Sequence, residues 1–204
     1  MRSRIIAGAA ITLFVALMIV PGLAAQTFTS LFNFDSTDGA NPSVALVQGT
    51  DGNFYGTTGA GGANQTCNFG LGGNGSCGIV FKMTPSGVLT TLYNFCSQSN
   101  CTDGANPNAA LVQATDGNFY GTTLFGGANG RGVCKKGGCG TIFSITPGGT
   151  LKTIYSFCAQ KDCADGLDPV AALIQATDGN FYGTTNGGGA YLEERSSKSL
   201  PAAR

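Results

Sequence analysis

A chain of 204 residues with 33 Gly, only 11% charged residues, zero formal net charge and neither His nor Trp excludes several functions. Without His there is no Ser-His or Cys-His nucleophile pair and no His-based metal centre. Without clustered Lys and Arg nothing draws in nucleic acid, and the one basic doublet of the body, Lys135-Lys136, reads as solvated loop.

The first 25 residues have the layout of a secretory signal peptide. Arg2 and Arg4 precede an uncharged apolar run, Ile5 to Val20, which is short for a membrane span of about 20 residues. Pro21-Gly22 breaks the run, and Leu23-Ala24-Ala25 offers small residues for cleavage before Gln26. The mature chain is therefore expected to start near Gln26, to be exported and to carry no membrane span; an uncleaved anchor is the alternative reading.

From there to Ala190 the chain repeats itself. Thr50-Asp51-Gly52-Asn53-Phe54-Tyr55-Gly56-Thr57-Thr58 recurs unchanged at Thr115 to Thr123 and at Thr177 to Thr185. The flanking pieces recur in the same order. Asp38-Gly39-Ala40-Asn41-Pro42 returns as Asp103 to Pro107 and as Asp165-Gly166-Leu167-Asp168-Pro169. Ile79 to Pro85 returns as Thr141 to Pro147. Each unit reads as four short strands. In the middle unit these are Ala110 to Gln113, Asn118 to Thr123, Thr141 to Ile145 and Thr150 to Phe157. Asp-Gly and Pro-Gly-Gly supply the turns, and Phe, Tyr, Val, Ile and Thr fill the strands. Thr27 to Phe34 matches a fourth strand that precedes the first unit, and the third unit stops halfway.

Four antiparallel strands per unit predict an all-β fold of β-propeller-like four-stranded blades in tandem, about two and a half units forming an incomplete arc. An open β-repeat stack is the alternative. Such a fragment is expected to leave outer sheet faces uncovered and not to close as a monomer.

Leu92-Tyr93-Asn94-Phe95, Asp103 to Pro107, Asp116 to Thr123, Gly126 to Gly130 and Ile142 to Pro147 together resemble the GloVer tandem-repeat family, over about Phe28 to Ala190. The resemblance implies an exported bacterial repeat protein of the kind that often carries a C-terminal surface anchor, and it brings no assigned reaction. Residues 191–204 depart from it. They hold five charges and both Glu of the chain, so they are expected to be a disordered or frameshifted tail on an apparently truncated protein, with no contacts of its own.

The eight cysteines come as Cys67 and Cys77, Cys96 and Cys101, Cys134 and Cys139, and Cys158 and Cys163. Between Phe34 and Asp38 the first unit has neither a long loop nor a Cys. The longer loops at the matching places of later units bring two Cys together. This pattern predicts four disulfides between sequence neighbours, each worth roughly 2 kcal/mol on the loop-entropy account. Export favours them over zinc, which the spacing only marginally fits.

The carboxylates are nine Asp in the repeat body. Seven sit in the repeated turns, where an Asp side chain caps its own turn; only Asp35 and Asp162 fall in variable loops, and no pair stands out as a glycosidase would require. Oxygen ligands gather at Asp35, Asp38 and Asn41 and at Asp162, Asp165 and Asp168, weak candidates for calcium; no other cofactor is expected. Phe54, Tyr55, Phe119, Tyr120, Phe181 and Tyr182 are either a sugar-stacking platform or core, and their alternation along a strand favours core. The expected function is a non-enzymatic secreted or cell-surface scaffold that binds another macromolecule, a glycan or a cell-surface protein. A glycan-binding module and a polysaccharide-acting propeller enzyme are the alternatives.

Overall fold

A computed structural model describes residues 28–65, 67, 75–129, 134, 137–189 and the backbone of 197–199. The signal segment and most of the tail lie outside the described residues. Strands β1 (Val47–Gln48), β2 (Phe54–Thr58), β3 (Ile79–Met83) and β4 (Leu89–Asn94) form one antiparallel sheet in chain order. β5 (Val112–Gln113), β6 (Phe119–Thr123), β7 (Thr141–Ile145) and β8 (Leu151–Ser156) form a second sheet of the same order. β9 (Ile174–Gln175) and β10 (Phe181–Thr184) begin a third, in which β11 (Ser197–Ser199) pairs with β10. The fold is all-β, in tandem four-stranded blades of propeller type.

The β1–β2 connection shows why the Asp-Gly signal works. Gly49 N donates to Asn53 O and Gly52 N to Gly49 O. This turn needs a left-handed residue, and Gly52 supplies it at φ 81°. The second and third strands of the first two units are then buried on both faces: Tyr55, Ile79, Val80 and Phe119 are each 0% exposed, and Phe143 likewise. The outer strands β4 and β8 stay half open. A strand apolar on both faces stays out of water only if its sheet is sandwiched, so the sheets stack face to face. A β-bulge at Val80/Phe81 recurs at Ile142/Phe143, adding local twist to both blades at the same register.

Three features differ from the sequence reading. The first strand of each unit is only two residues long. The carbonyl of Ala109, just before it, accepts instead from Thr57 Oγ1 of the preceding sheet at 3.3 Å, and that of Ala171 from Thr122 Oγ1 at 3.5 Å. Phe28 to Phe34 is not a strand, since the described chain holds no neighbour on that side to pair its backbone. Phe32 and Phe34 nevertheless pack on the Ile79, Phe81 and Met83 cluster. The tail is not free of contacts either. Lys198 pairs with Gly183 at the register where Phe143 pairs with Gly121, so three tail residues occupy the third-strand position of the last sheet.

Candidate functional site

The meander puts the β1–β2 and β3–β4 turns at one end of each blade, and the glycine-rich and cysteine-bearing loops at the other. At the first end the same constellation is built three times. Asp51 accepts from Asn53 N at 3.1 Å, Asn53 Nδ2 at 2.8 Å and the Tyr55 hydroxyl at 2.8 Å. Asp116 holds Asn118 and Tyr120, and Asp178 holds Asn180 and Tyr182, with every bond at 2.9–3.0 Å. The Asn53 and Tyr55 side chains hold the Asp51 carboxyl below its usual range, and the Asn180 amide does the same for Asp178. At Asp116 burial pulls upward, but the bonds from Asn118 and Tyr120 prevail and the net direction is down. Burial and then the Asp partner push the Tyr55 and Tyr120 hydroxyls up to about 12. A carboxylate so occupied is a turn cap, not a poised general base.

At the other end Asp103 is fully buried and accepts from the Tyr93 hydroxyl and Ser97 N, both at 2.8 Å, and from Gln98 N at 3.3 Å. Asp165 repeats this with Tyr155, Ala159 N and Gln160 N. Each of these turns is closed by a disulfide, Cys96–Cys101 and Cys158–Cys163; Cys67–Cys77 and Cys134–Cys139 pair beside them. In the first unit Asp35 takes donors from Thr37 and Asp38 N, while Asp38 accepts from Asp35 N. The oxygens of Asp35, Asp38 and Asp165 thus serve their own loops. Asp162 lies in a short 3-10 turn, Lys161–Cys163, at φ 56°. Asn41, Asn106 and Asp168 share a left-handed backbone at the joint between units. Among the described residues, the groups of three potential His, Cys, Asp or Glu ligand atoms within 4.8 Å are Cys67, Cys96 and Cys101, and Cys134, Cys139 and Cys158. All of these sulfurs are in disulfides, so none is a thiolate available to a metal.

Four of the six paired aromatic residues lie between sheets, and Phe54 and Tyr182 are half-buried. Tyr55 stacks on Phe119 with centroids 4.0 Å apart, and Tyr120 on Phe181 at 4.2 Å. Their faces are spent on one another. Three further groups carry the joint, and sequence reasoning missed them. Gln113 Oε1 accepts from Thr50 N at 2.9 Å, and Gln175 Oε1 from Thr115 N at 3.0 Å. Asn106 Nδ2 donates to Gly59 O at 2.7 Å. The recurring Gln and the Tyr placed ten residues before its Asp were visible as repeats, but only the fold reveals their partners.

A family model described as Gloeobacter/Verrucomicrobia repeat matches residues 66–194. No curated protein matches the chain. One solved structure, described as a gluconolactonase, is similar at 13% identity and a TM-score of 0.39, over 77% of this chain. This chain spans 47% of that one's length. Two sheets of the same strand order and the matched segment lead to one identification: the chain belongs to the Gloeobacter/Verrucomicrobia repeat family.

Proposed function

We propose that this protein is an exported, non-enzymatic repeat scaffold that presents its loop ends to another macromolecule outside the cell. The observation that carries the reading is the fate of the repeated carboxylates. Asp51, Asp116 and Asp178 hold identical sets of donors from their own turns, and Asp103 and Asp165 do the same at the other end. Chemistry on a substrate needs groups that break such symmetry, and here the acidic groups serve the fold. Four disulfides support an oxidising compartment, and no described helix is long and apolar enough to cross a membrane.

Two measurements test this. Mass spectrometry of the exported protein should find its amino terminus near Gln26; a product retaining Met1 would remove the cleavage and leave an uncleaved anchor. The purified chain should show no turnover on a panel of polysaccharides and lactones. Turnover abolished by Asp162→Asn or Asp35→Asn would make it an enzyme instead, and specific glycan-array binding would make it a glycan-binding module.

A further inference from the structure

We propose that the paired disulfides of the first two units form thiol-exchange sites, at which a small thiol from outside opens one bridge and the freed thiolate re-pairs with the other. A loop staple needs only to close its own loop. Here the fold sets two of them side by side in each unit. Cys77 lies just before β3 and Cys96 just after β4, and Ile79 pairs with Asn94 across that hairpin. Cys139 and Cys158 flank β7 and β8 in the same way, where Thr141 pairs with Ser156. Antiparallel pairing therefore carries both bridges of a unit to the loop end of its sheet.

The sulfur geometry supports exchange between bridges. Cys67 Sγ of one bridge lies within 4.8 Å of both sulfurs of the Cys96–Cys101 bridge. In the second unit Cys158 Sγ lies within 4.8 Å of both sulfurs of Cys134–Cys139. Either thiolate released from one bridge thus has a sulfur of the other bridge as its neighbour. The following unit holds the backbone in place while a bridge opens. Asn106 N donates to Cys77 O at 2.8 Å, Gly127 N to Cys101 O at 2.9 Å, and Asp168 N to Cys139 O at 2.9 Å.

Access gives the exchange a direction. In the first unit Cys67 is 4% exposed and Cys77 0%, whereas Cys96 and Cys101 are half-buried. A thiolate from outside attacks Cys96 Sγ, forms a mixed disulfide and releases the Cys101 thiolate. That thiolate attacks Cys67 Sγ, forms Cys67–Cys101 and releases Cys77, which takes up the proton that the incoming thiol lost. In the second unit Cys134 and Cys158 are half-buried and Cys139 is 0% exposed. Attack on Cys134 releases the Cys139 thiolate beside Cys158, and Cys139–Cys158 forms with Cys163 as the leaving group. One disulfide breaks for each that forms, so the external thiol is the only co-reactant. The buried Cys67–Cys77 bridge is thereby opened through a neighbour that the thiol can reach.

The test is non-reducing peptide mapping of the full oxidised chain after brief exposure to equimolar glutathione, quenched in acid. Links from Cys67 to Cys96 or Cys101, and from Cys158 to Cys134 or Cys139, are expected, with glutathione on a half-buried cysteine. Native bridges accompanied only by glutathione adducts would overturn the proposal. So would links between the two clusters, such as Cys67 with Cys158, because those require the chain to unfold. A second measurement uses the double variant Cys96→Ser, Cys101→Ser, which removes the reachable bridge of the first unit. Glutathione should then open Cys67–Cys77 about tenfold or more slowly than in wild type. Exchange in the second unit should continue in that variant and shows that it is folded. An unchanged rate at Cys67–Cys77 would overturn the proposal.

Discussion

At the scale of single residues, the fold relies on Asp–Tyr pairs that differ in burial. Asp103 is 0% exposed and Tyr93 is one of its three donors. Burial and the Asp103 bond both push the Tyr93 hydroxyl up. Tyr93→Phe removes that donor and leaves a buried carboxylate short of a partner, so it should destabilise by about 1–3 kcal/mol. Denaturant unfolding measures this, and Tyr182→Phe, at an exposed Asp178, should cost less. Asp168 offers the opposite case. It stands where Asn106 stands, yet a carboxylate cannot make the amide donation that Asn106 Nδ2 makes to Gly59 O. Burial raises the Asp168 carboxyl above its ordinary value. A raised carboxyl contributes most when protonated, and its ionised form is penalised as pH rises through the folded value. Asp168→Asn should therefore raise the melting temperature at neutral pH, by about 1 kcal/mol equivalent, with the gain shrinking in acid. A variant less stable than wild type at pH 7 would contradict this account.

Among the elements, the central strands are tied to their glycines. Gly121 in β6 faces the Phe143 ring, and an added Cβ would lie 2.7 Å from it and 2.8 Å from Leu111. Gly121→Ala therefore needs no unusual backbone, but it overpacks the sheet, at about 1–3 kcal/mol. A lowered urea midpoint with an unchanged m-value would register it; an unaffected midpoint would mean the ring moves away freely. In the first two motifs the glycine of the Tyr-Gly pair is thus explained by ring packing, Gly56 against Phe81 and Gly121 against Phe143. Its turn glycine, by contrast, was legible from sequence because positive φ is a local demand. The short first strands were not legible. The run from Ala110 to Gln113 looks like a four-residue strand, but only Val112 and Gln113 pair with β6, and the neighbouring sheet claims the Ala109 carbonyl just before the run.

For the whole molecule, the titrating groups set a pH window. Asp51 and Asp178 are held low by their hydrogen bonds, and Asp116 and Asp165 end low although burial opposes it. Lowered carboxyls contribute stability above their unfolded values, and lose it as pH falls through the folded ones. Tyr55, Tyr120 and Tyr155 are raised to about 12 by burial and then by their Asp partners. Their contribution is complete below about 10, the unfolded tyrosine value, and disappears as pH rises towards 12. Thermal melts should show a plateau from about pH 4 to about pH 10, with a fall on both sides; with no His in the chain, a step between pH 6 and 7 would contradict this assignment. The sequence by itself determined the repeat, the antiparallel meander and the turns, because hydrogen-bond register and positive φ are local properties written in Asp-Gly-Asn and in alternating side chains. Only the tertiary structure decided which groups meet across sheets: Tyr55 with Phe119, Thr50 with Gln113, Phe34 with Phe81. Those contacts depend on how far one blade is displaced from the next, and no single unit encodes that distance.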